Sequence, residues 1–130
     1  MKRSLKILIG VLIVFTVIGI SGYIVIQNMN KSLDSLKEIE IETIDLSTIQ
    51  DGTYEGTYKA FPIEVIVEVT IVNHVITEID LIKHVSGQGA PGEEVIDLVI
   101  LDQSLDVDLI SGATYSSKVI LLAIEDALKN

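Results

Sequence analysis

Twenty consecutive residues, Ile7 to Ile26, carry no charge, and 15 of them are apolar. At about 1.5 Å per helical residue the run is about 30 Å long, the thickness of a bilayer's hydrocarbon layer, so it reads as a transmembrane helix rather than a buried soluble one. Gly10, Thr16, Gly19, Ser21 and Gly22 are tolerable in such a span. Lys2, Arg3 and Lys6 precede it and every acid of the chain follows it. The positive-inside rule then places residues 1–6 in the cytoplasm and residues 27–130 outside the cell membrane. The competing reading is a cleaved signal peptide, with Gly19 and Ser21 as a weak small-x-small site, but the apolar core of such a peptide is about 7 to 15 residues. A retained single-pass anchor is the expectation, and cleavage stays open.

Three of the nine cations lie before the run, which leaves six lysines against 19 acids in residues 31–130, a net charge of −13. Such a field repels phosphate backbones and anionic headgroups, so no nucleic-acid partner is expected. The chain has no cysteine. That excludes a disulfide framework, a thiolate zinc site, an iron–sulfur cluster and a Cys-linked haem or lipid. About 100 residues beyond the anchor suffice for one compact domain.

Residues 27–50 read as a stalk, with Met29, Leu33 and Leu36 at helical spacing and then Ile39 and Ile41 alternating with acids. Glu38, Glu40, Glu42 and Asp45 lack a loop glycine or ligand pattern, so they read as solvated charges and no metal site is expected. Asp51-Gly52 opens the domain, 51–130. Thr53 to Lys59 alternates with Tyr54, Gly56 and Tyr58 on one face. Ile63 to Val72 does so more clearly, with Ile63, Val65, Val67, Val69 and Ile71 together. After Asn73-His74, Val75 to His84 predicts a third strand, with Val75, Thr77, Ile79 and Leu81 on one face. Residues 86–92 are too rich in glycine for a regular element, Val95 to Asp102 has helical spacing, and a last helix is predicted from near Ser116 to Lys129. In that helix Lys118, Glu125 and Lys129 fall on a polar face. The fold class is α+β: an antiparallel meander with helices packed on it, preceded by one N-terminal transmembrane helix.

Catalytic equipment is scarce, with two histidines, no cysteine and no arginine outside the first six residues. No catalytic residues are assigned. His74 reads as a solvated turn residue, whereas His84 ends a strand beside the glycine loop. The stretch Asp108 to Ser117 crowds small and hydroxyl-bearing residues at a helix start. Free N–H groups and the helix dipole there favour a phosphate, and Gly112 and Ala113 let the backbone come close to one. Two readings stand at this point: a phosphate held by the amides of Ala113 to Ser117 and by Lys118, or a plain cap in which Thr114 or Ser116 satisfies the first N–H groups.

Asp108-x-x-Ser111-Gly112-Ala113-Thr114-x-Ser116 resembles the flavinylation motif of the FMN-binding domain family, found in subunits of the sodium-pumping NADH:quinone reductase and of the Rnf complex. The resemblance extends over roughly residues 50–130, through Asp51-Gly52-Thr53-Tyr54, His84 before its glycine loop, and Gln103 to Asp108. It implies that a flavin transferase joins the FMN phosphate to the Thr114 hydroxyl as a phosphoester, with Asp108 serving recognition or alignment. It also implies contacts from Gly87, Gln88 and Gly89 to the ring. Tyr115 is the nearest aromatic, and Leu105 and Val107 are candidates to pack near the ring or in the core.

With an anchor, a stalk and one flavin domain, and no reductase module, the chain is expected to be an extracytoplasmic electron carrier between a membrane redox partner and a downstream acceptor. A non-redox tethered sensor or interaction module is the alternative. Direct reduction of a small acceptor is a third reading, weakened by the missing arginine because carboxylate acceptors are commonly gripped by that residue.

Overall fold

The computed structural model describes residues 2–87 and 89–129. Its first element, α1 (Lys2–Glu38), is one unbroken helix that continues well beyond the apolar run. Its apolar residues from Ile7 to Ile26 are exposed, and among the described residues it is the helix long and apolar enough to cross a membrane. The Thr16 hydroxyl donates to the Ile13 carbonyl at 2.8 Å, so this polar group is satisfied within the span.

The segment expected as a stalk is helical to Glu38 and then runs along the domain. Leu36 is 1% exposed, and Leu33, Ile39, Ile41, Ile44, Leu46 and Ile49 pack against the same core. A single 3-10 turn, Leu46–Thr48, is capped by the Asp45 carboxylate, which accepts from the Ser47 N–H at 3.0 Å. The Ser47 hydroxyl, which donates to the same carboxylate at 2.6 Å, and after it this N–H draw the Asp45 carboxyl below its ordinary range. His74, expected as a solvated turn residue, donates from Nδ1 to the Ile49 carbonyl at 2.8 Å and ties this segment to the far hairpin.

The sheet is the expected meander, β1 (Gly52–Ala60), β2 (Ile63–Val72) and β3 (Val75–Val85), antiparallel in that order. The hairpin residues Asn73 and His74 both have positive φ, 53° and 63°, as a two-residue hairpin turn of the primed type requires. Ile63, Val65, Val67, Val69 and Ile71 are all buried, as their alternation predicts. In β3 the alternation expected from sequence fails twice, because the register shifts between Ile66 and Val67 and again between Thr70 and Ile71. Each shift leaves one β3 residue, Ile82 or Thr77, without a partner. Each such bulge turns the strand by one face. The inner face is therefore Ile76, Ile79, Leu81 and His84, not Val75, Thr77, Ile79 and Leu81.

A 3-10 helix, Ala90–Glu94, occupies part of the stretch expected to be irregular. Its i to i+3 geometry is compatible with glycine, and the Gly92 N–H donates to the Gly89 carbonyl at 2.9 Å. It leads into α2 (Val95–Asp102), which Gln103 terminates at φ 52°. The Gln103 amide then pairs with both backbone groups of Ile76, at 2.7 and 2.9 Å, and so fastens the edge strand at its first bulge.

The last helix, α3 (Thr114–Lys129), starts two residues before the expected Ser116 and lies across β1 and β2. Gly56 makes that approach possible. A Cβ there would overlap the Ala123 carbonyl and come within 2.7 Å of the Ala127 methyl. The helix is buried nearly all round, since the 39–46 segment covers the side away from the sheet. Glu125, expected on a polar face, is consequently buried. It accepts from the Glu42 N–H at 3.2 Å and pairs with Lys129.

Candidate functional site

Gly112, at φ 80°, turns the chain into α3 in a conformation that an L side chain rarely adopts. The turn is closed by the Ala113 N–H donating to the Ile110 carbonyl at 3.0 Å. Ser117 locks it from within: its hydroxyl donates to the Ala113 carbonyl at 2.7 Å and accepts from the Ile110 N–H at 3.2 Å. The Ser117 N–H is taken by the Ala113 carbonyl. The amides of Ala113 and Ser117, expected among the phosphate donors, are thus engaged internally. Helix geometry leaves Thr114, Tyr115 and Ser116 with amides that have no intrahelical acceptor. Neither Thr114 nor Ser116 acts as the cap; the lock comes from Ser117.

Thr114 is exposed and stands at the first position of α3. It lines a cavity of about 220 Å³ together with Gly112, Ala113, Tyr115, Ser116, Gly89 and Ser86. The remaining walls are Pro62 and Ile63 at the β1–β2 turn and Leu33 of α1. On its other side Thr114 shares with Tyr115 a second hollow, also about 220 Å³, bounded by Leu36, Lys37, Leu109 and Lys118. The Lys118 ammonium makes a long hydrogen bond, 3.5 Å, to the Lys37 carbonyl at the end of α1. The ten residues that line the first cavity carry no charge, in a chain of net charge −10.

The glycine loop is pressed onto the helix start. A Cβ on Gly89 would overlap the Ser116 hydroxyl, and one on Gly92 would come within 2.9 Å of the Ser117 nitrogen. His84 enters from the sheet, its side chain only 3% exposed. Its Nε2 lies 2.9 Å from the Ser116 Oγ and its Nδ1 lies 2.7 Å from the Glu93 carboxylate. The second bulge of β3 produces this arrangement. Without it His84 would lie on the outer face, where Lys83 pairs with Glu64 at 3.0 Å.

Of the residues expected at the site, Thr114, Gly112, Ala113, Tyr115, Ser116 and Gly89 meet at one cavity, and His84 reaches it through Ser116. Lys118 joins from the second hollow. Asp108, Ser111 and Gly87 are exposed and do not line these cavities, and Ser117 is buried beneath them. Gln88 lies outside the described residues. Leu105 is core, and with Val107 it borders a third hollow of about 470 Å³ against Ile39 and Ile41.

Sequence reasoning missed Leu33, Pro62, Ile63 and Glu93. Leu33 carried the one available signal, an apolar side chain at helical spacing with Leu36 beyond the membrane run.

The geometry suits FMN. A reachable hydroxyl stands at a helix start among free amides, the walls are uncharged, and the loop lacks side-chain bulk where it meets Ser116. A sequence model described as FMN-binding domain matches residues 58–129, more than half of the chain. No curated protein matches the chain.

Proposed function

Because the chain belongs to the FMN-binding domain family, we propose that it is a membrane-anchored electron carrier whose FMN is esterified to Thr114. The single observation that carries this reading is the Thr114 hydroxyl, exposed on the first residue of α3 at the rim of an uncharged cavity. A flavin transferase acting on the folded domain would reach it without opening the core. In the ester, Thr114 Oγ replaces a leaving group on the flavin phosphate and its proton departs, so the protein gains FMN less water.

The bond answers two problems of this chain. An acidic domain holds a free phosphate dianion poorly, and outside the cell a dissociated cofactor is lost by dilution. Esterification leaves one anionic group, close to the amides of Thr114, Tyr115 and Ser116. Lys118, from the adjoining hollow, supplies positive charge on the same side, whereas the Lys37 ammonium there is paired with Asp34 at 2.9 Å. FMN, once attached, supplies one- and two-electron chemistry. Tyr115 and the apolar side chains of Leu33, Pro62 and Ile63 would flank the ring and exclude water from part of it.

Three cations before the span and a charge of −13 after it support an extracytoplasmic domain. The site is also tied to the span, since Leu33 lines the cavity and lies seven residues beyond Ile26, or about 10 Å along the helix. A redox partner within the membrane is the donor that this height suits, with a second carrier or reductase as acceptor.

The test is expression of the full chain with a flavin transferase, read by in-gel flavin fluorescence under denaturing conditions and by intact mass. Wild type should fluoresce and gain FMN less water. Thr114→Ala should lose both completely while unfolding within about 0.5 kcal/mol of wild type, as expected for an exposed side chain. Retention of the gain in Thr114→Ala overturns the assignment.

A further inference from the structure

The chain Glu93–His84–Ser116 is more than that function requires for holding a phosphate. Glu93 is half-exposed, at 49% for its side chain, whereas His84 is 3% exposed and Ser116 only 2%. The three therefore run from solvent to the wall of the cavity that Thr114 shares. A buried histidine with hydrogen-bond partners on both nitrogens has its tautomer set by them. An ionised Glu93 accepts from Nδ1–H, which leaves Nε2 to accept from the Ser116 hydroxyl. Protonated His84 reverses that second bond: Nε2–H donates to Ser116 Oγ, and the Ser116 O–H is freed to point into the cavity.

We propose that His84 is the proton-exchanging group of this cavity, acting through the Ser116 hydroxyl while Glu93 holds the ring. This rests on the flavin assignment above. The transfer starts from the doubly protonated ring. When an atom in the cavity gains basicity on reduction, the Nε2–H bond breaks as an Oγ–H bond forms on Ser116, and the proton that Ser116 held passes to that atom. His84 is left neutral with its proton on Nδ1. The Nδ1–H bond to Glu93 is unchanged throughout. Reoxidation runs the same transfers backwards. The electrons come from the redox partner and do not pass through these residues.

The charged surroundings favour the assignment. Glu93 of the 3-10 helix faces the imidazole. The cross-strand neighbour on β2 is Val65, the partner on α3 is the uncharged Ser116, and Lys83 and Glu64 pair with each other on the other side of the sheet. Asp97 and Asp102 of α2 are exposed to solvent. Gly89 has no side chain where it meets the Ser116 hydroxyl, so the contact between loop and relay stays close.

The first test needs no flavin. In the full chain carrying Thr114→Ala, ¹⁵N NMR of the histidines should show His84 protonated on Nδ1 and unprotonated on Nε2 when the ring is neutral. Glu93→Gln should abolish that order. A wild-type ring protonated on Nε2 instead overturns the proposal. The second test uses flavin-loaded protein reduced by dithionite in H₂O and in D₂O. Wild type should show a solvent isotope effect. His84→Gln and Ser116→Ala should each reduce roughly a hundredfold more slowly, the low end for a positioned general acid, and added imidazole should restore His84→Ala. Wild-type rates and isotope effects in both Ser116→Ala and His84→Gln also overturn it. Failure to load flavin on Thr114 would sink the function proposed above while the NMR result still decides the relay.

Discussion

The two ends of α3 are built on different principles. At its C-terminal end the helix is fixed by burial: Ala123 and Ala127 rest on Gly56, the Thr57 N–H donates to Asp126 at 2.9 Å, and Glu125, Lys129 and Glu42 form a closed set of ion pairs and hydrogen bonds. At its N-terminal end Ser117 and the Ala113–Ile110 hydrogen bond lock the turn, and Thr114, Tyr115 and Ser116 line cavities. Burial thus holds one end, and the other carries the site proposed for flavin. Changes at the C-terminal end should lower the melting temperature without altering how Thr114 is used, and changes at the N-terminal end should do the reverse.

Gly56→Ala is the strongest attack on the first half of this contrast. The added methyl meets helix backbone, which cannot rotate aside, so α3 must lift from β1. Overpacking of this kind costs about 1–3 kcal/mol and sometimes more. Urea unfolding should show that loss, while whatever folded protein remains should still accept flavin. A wild-type midpoint in urea would mean that the helix is not held where the structure places it.

Glu125→Ala comes next. It leaves the Glu42 N–H without its acceptor and removes one of the two carboxylates paired with Lys129, Glu42 remaining at 2.9 Å. The lost hydrogen bonds cost about 0.5–1.5 kcal/mol. Glu125→Gln should recover part of this, because its carbonyl oxygen still accepts from the Glu42 N–H. Equal losses in the two variants would show that charge, not the hydrogen bond, is what matters there.

The same cluster gives a pH signature. Glu125 foremost, and then Glu42, raise the Lys129 pKa above its ordinary 10.5. A folded-state pKa that is raised adds stability which is complete below the ordinary lysine value and is lost as pH climbs through the raised one. The melting temperature should therefore fall on strong alkalinisation, and fall less in Lys129→Met. Glu64, on the outer face of the sheet, acts with the opposite sign. Lys83 draws its pKa down, so its contribution is present above the ordinary glutamate value and lost as pH drops through the lowered one. An alkaline profile that Lys129→Met leaves unchanged would detach Lys129 from the C-terminal anchorage.

What the sequence made legible divides along the same line. The strands were readable because side chains on β2 alternate without interruption, and α3 because its apolar residues recur at helical spacing. Thr114, the acceptor proposed above, stood out as a candidate because it belongs to a motif of fixed offsets. The rest of the site was not, since it depends on departures from period. Ile82 and Thr77 are ordinary strand residues with nothing to mark them as bulges, yet the shift at Ile82 decides which face His84 occupies. Glu93, between the glycine-rich stretch and a predicted helix, carries no sequence sign that it partners that histidine. Leu33 stands 81 positions before Thr114 and meets it only because α1 continues beyond the membrane run and docks on the domain. Glu125 was misjudged for a related reason: helical spacing gives a face, but not what lies against it.

The smallest expected effect tests the N-terminal half of the contrast. Lys118 is half-buried, and its ammonium touches the Lys37 carbonyl at the C-terminal end of α1 at a long 3.5 Å. A cation at a helix C-terminus contributes about 0.3–1 kcal/mol, and this distance argues for the lower part of that range. Lys118→Ala should barely move the melting temperature of flavin-free protein. In loaded protein the same side chain faces the hollow beside the esterified phosphate, so the rise in melting temperature on flavin attachment should be smaller in Lys118→Ala than in wild type. An equal rise in both would assign Lys118 to the docking of α1 alone, and would leave the three free amides of α3 to hold the phosphate.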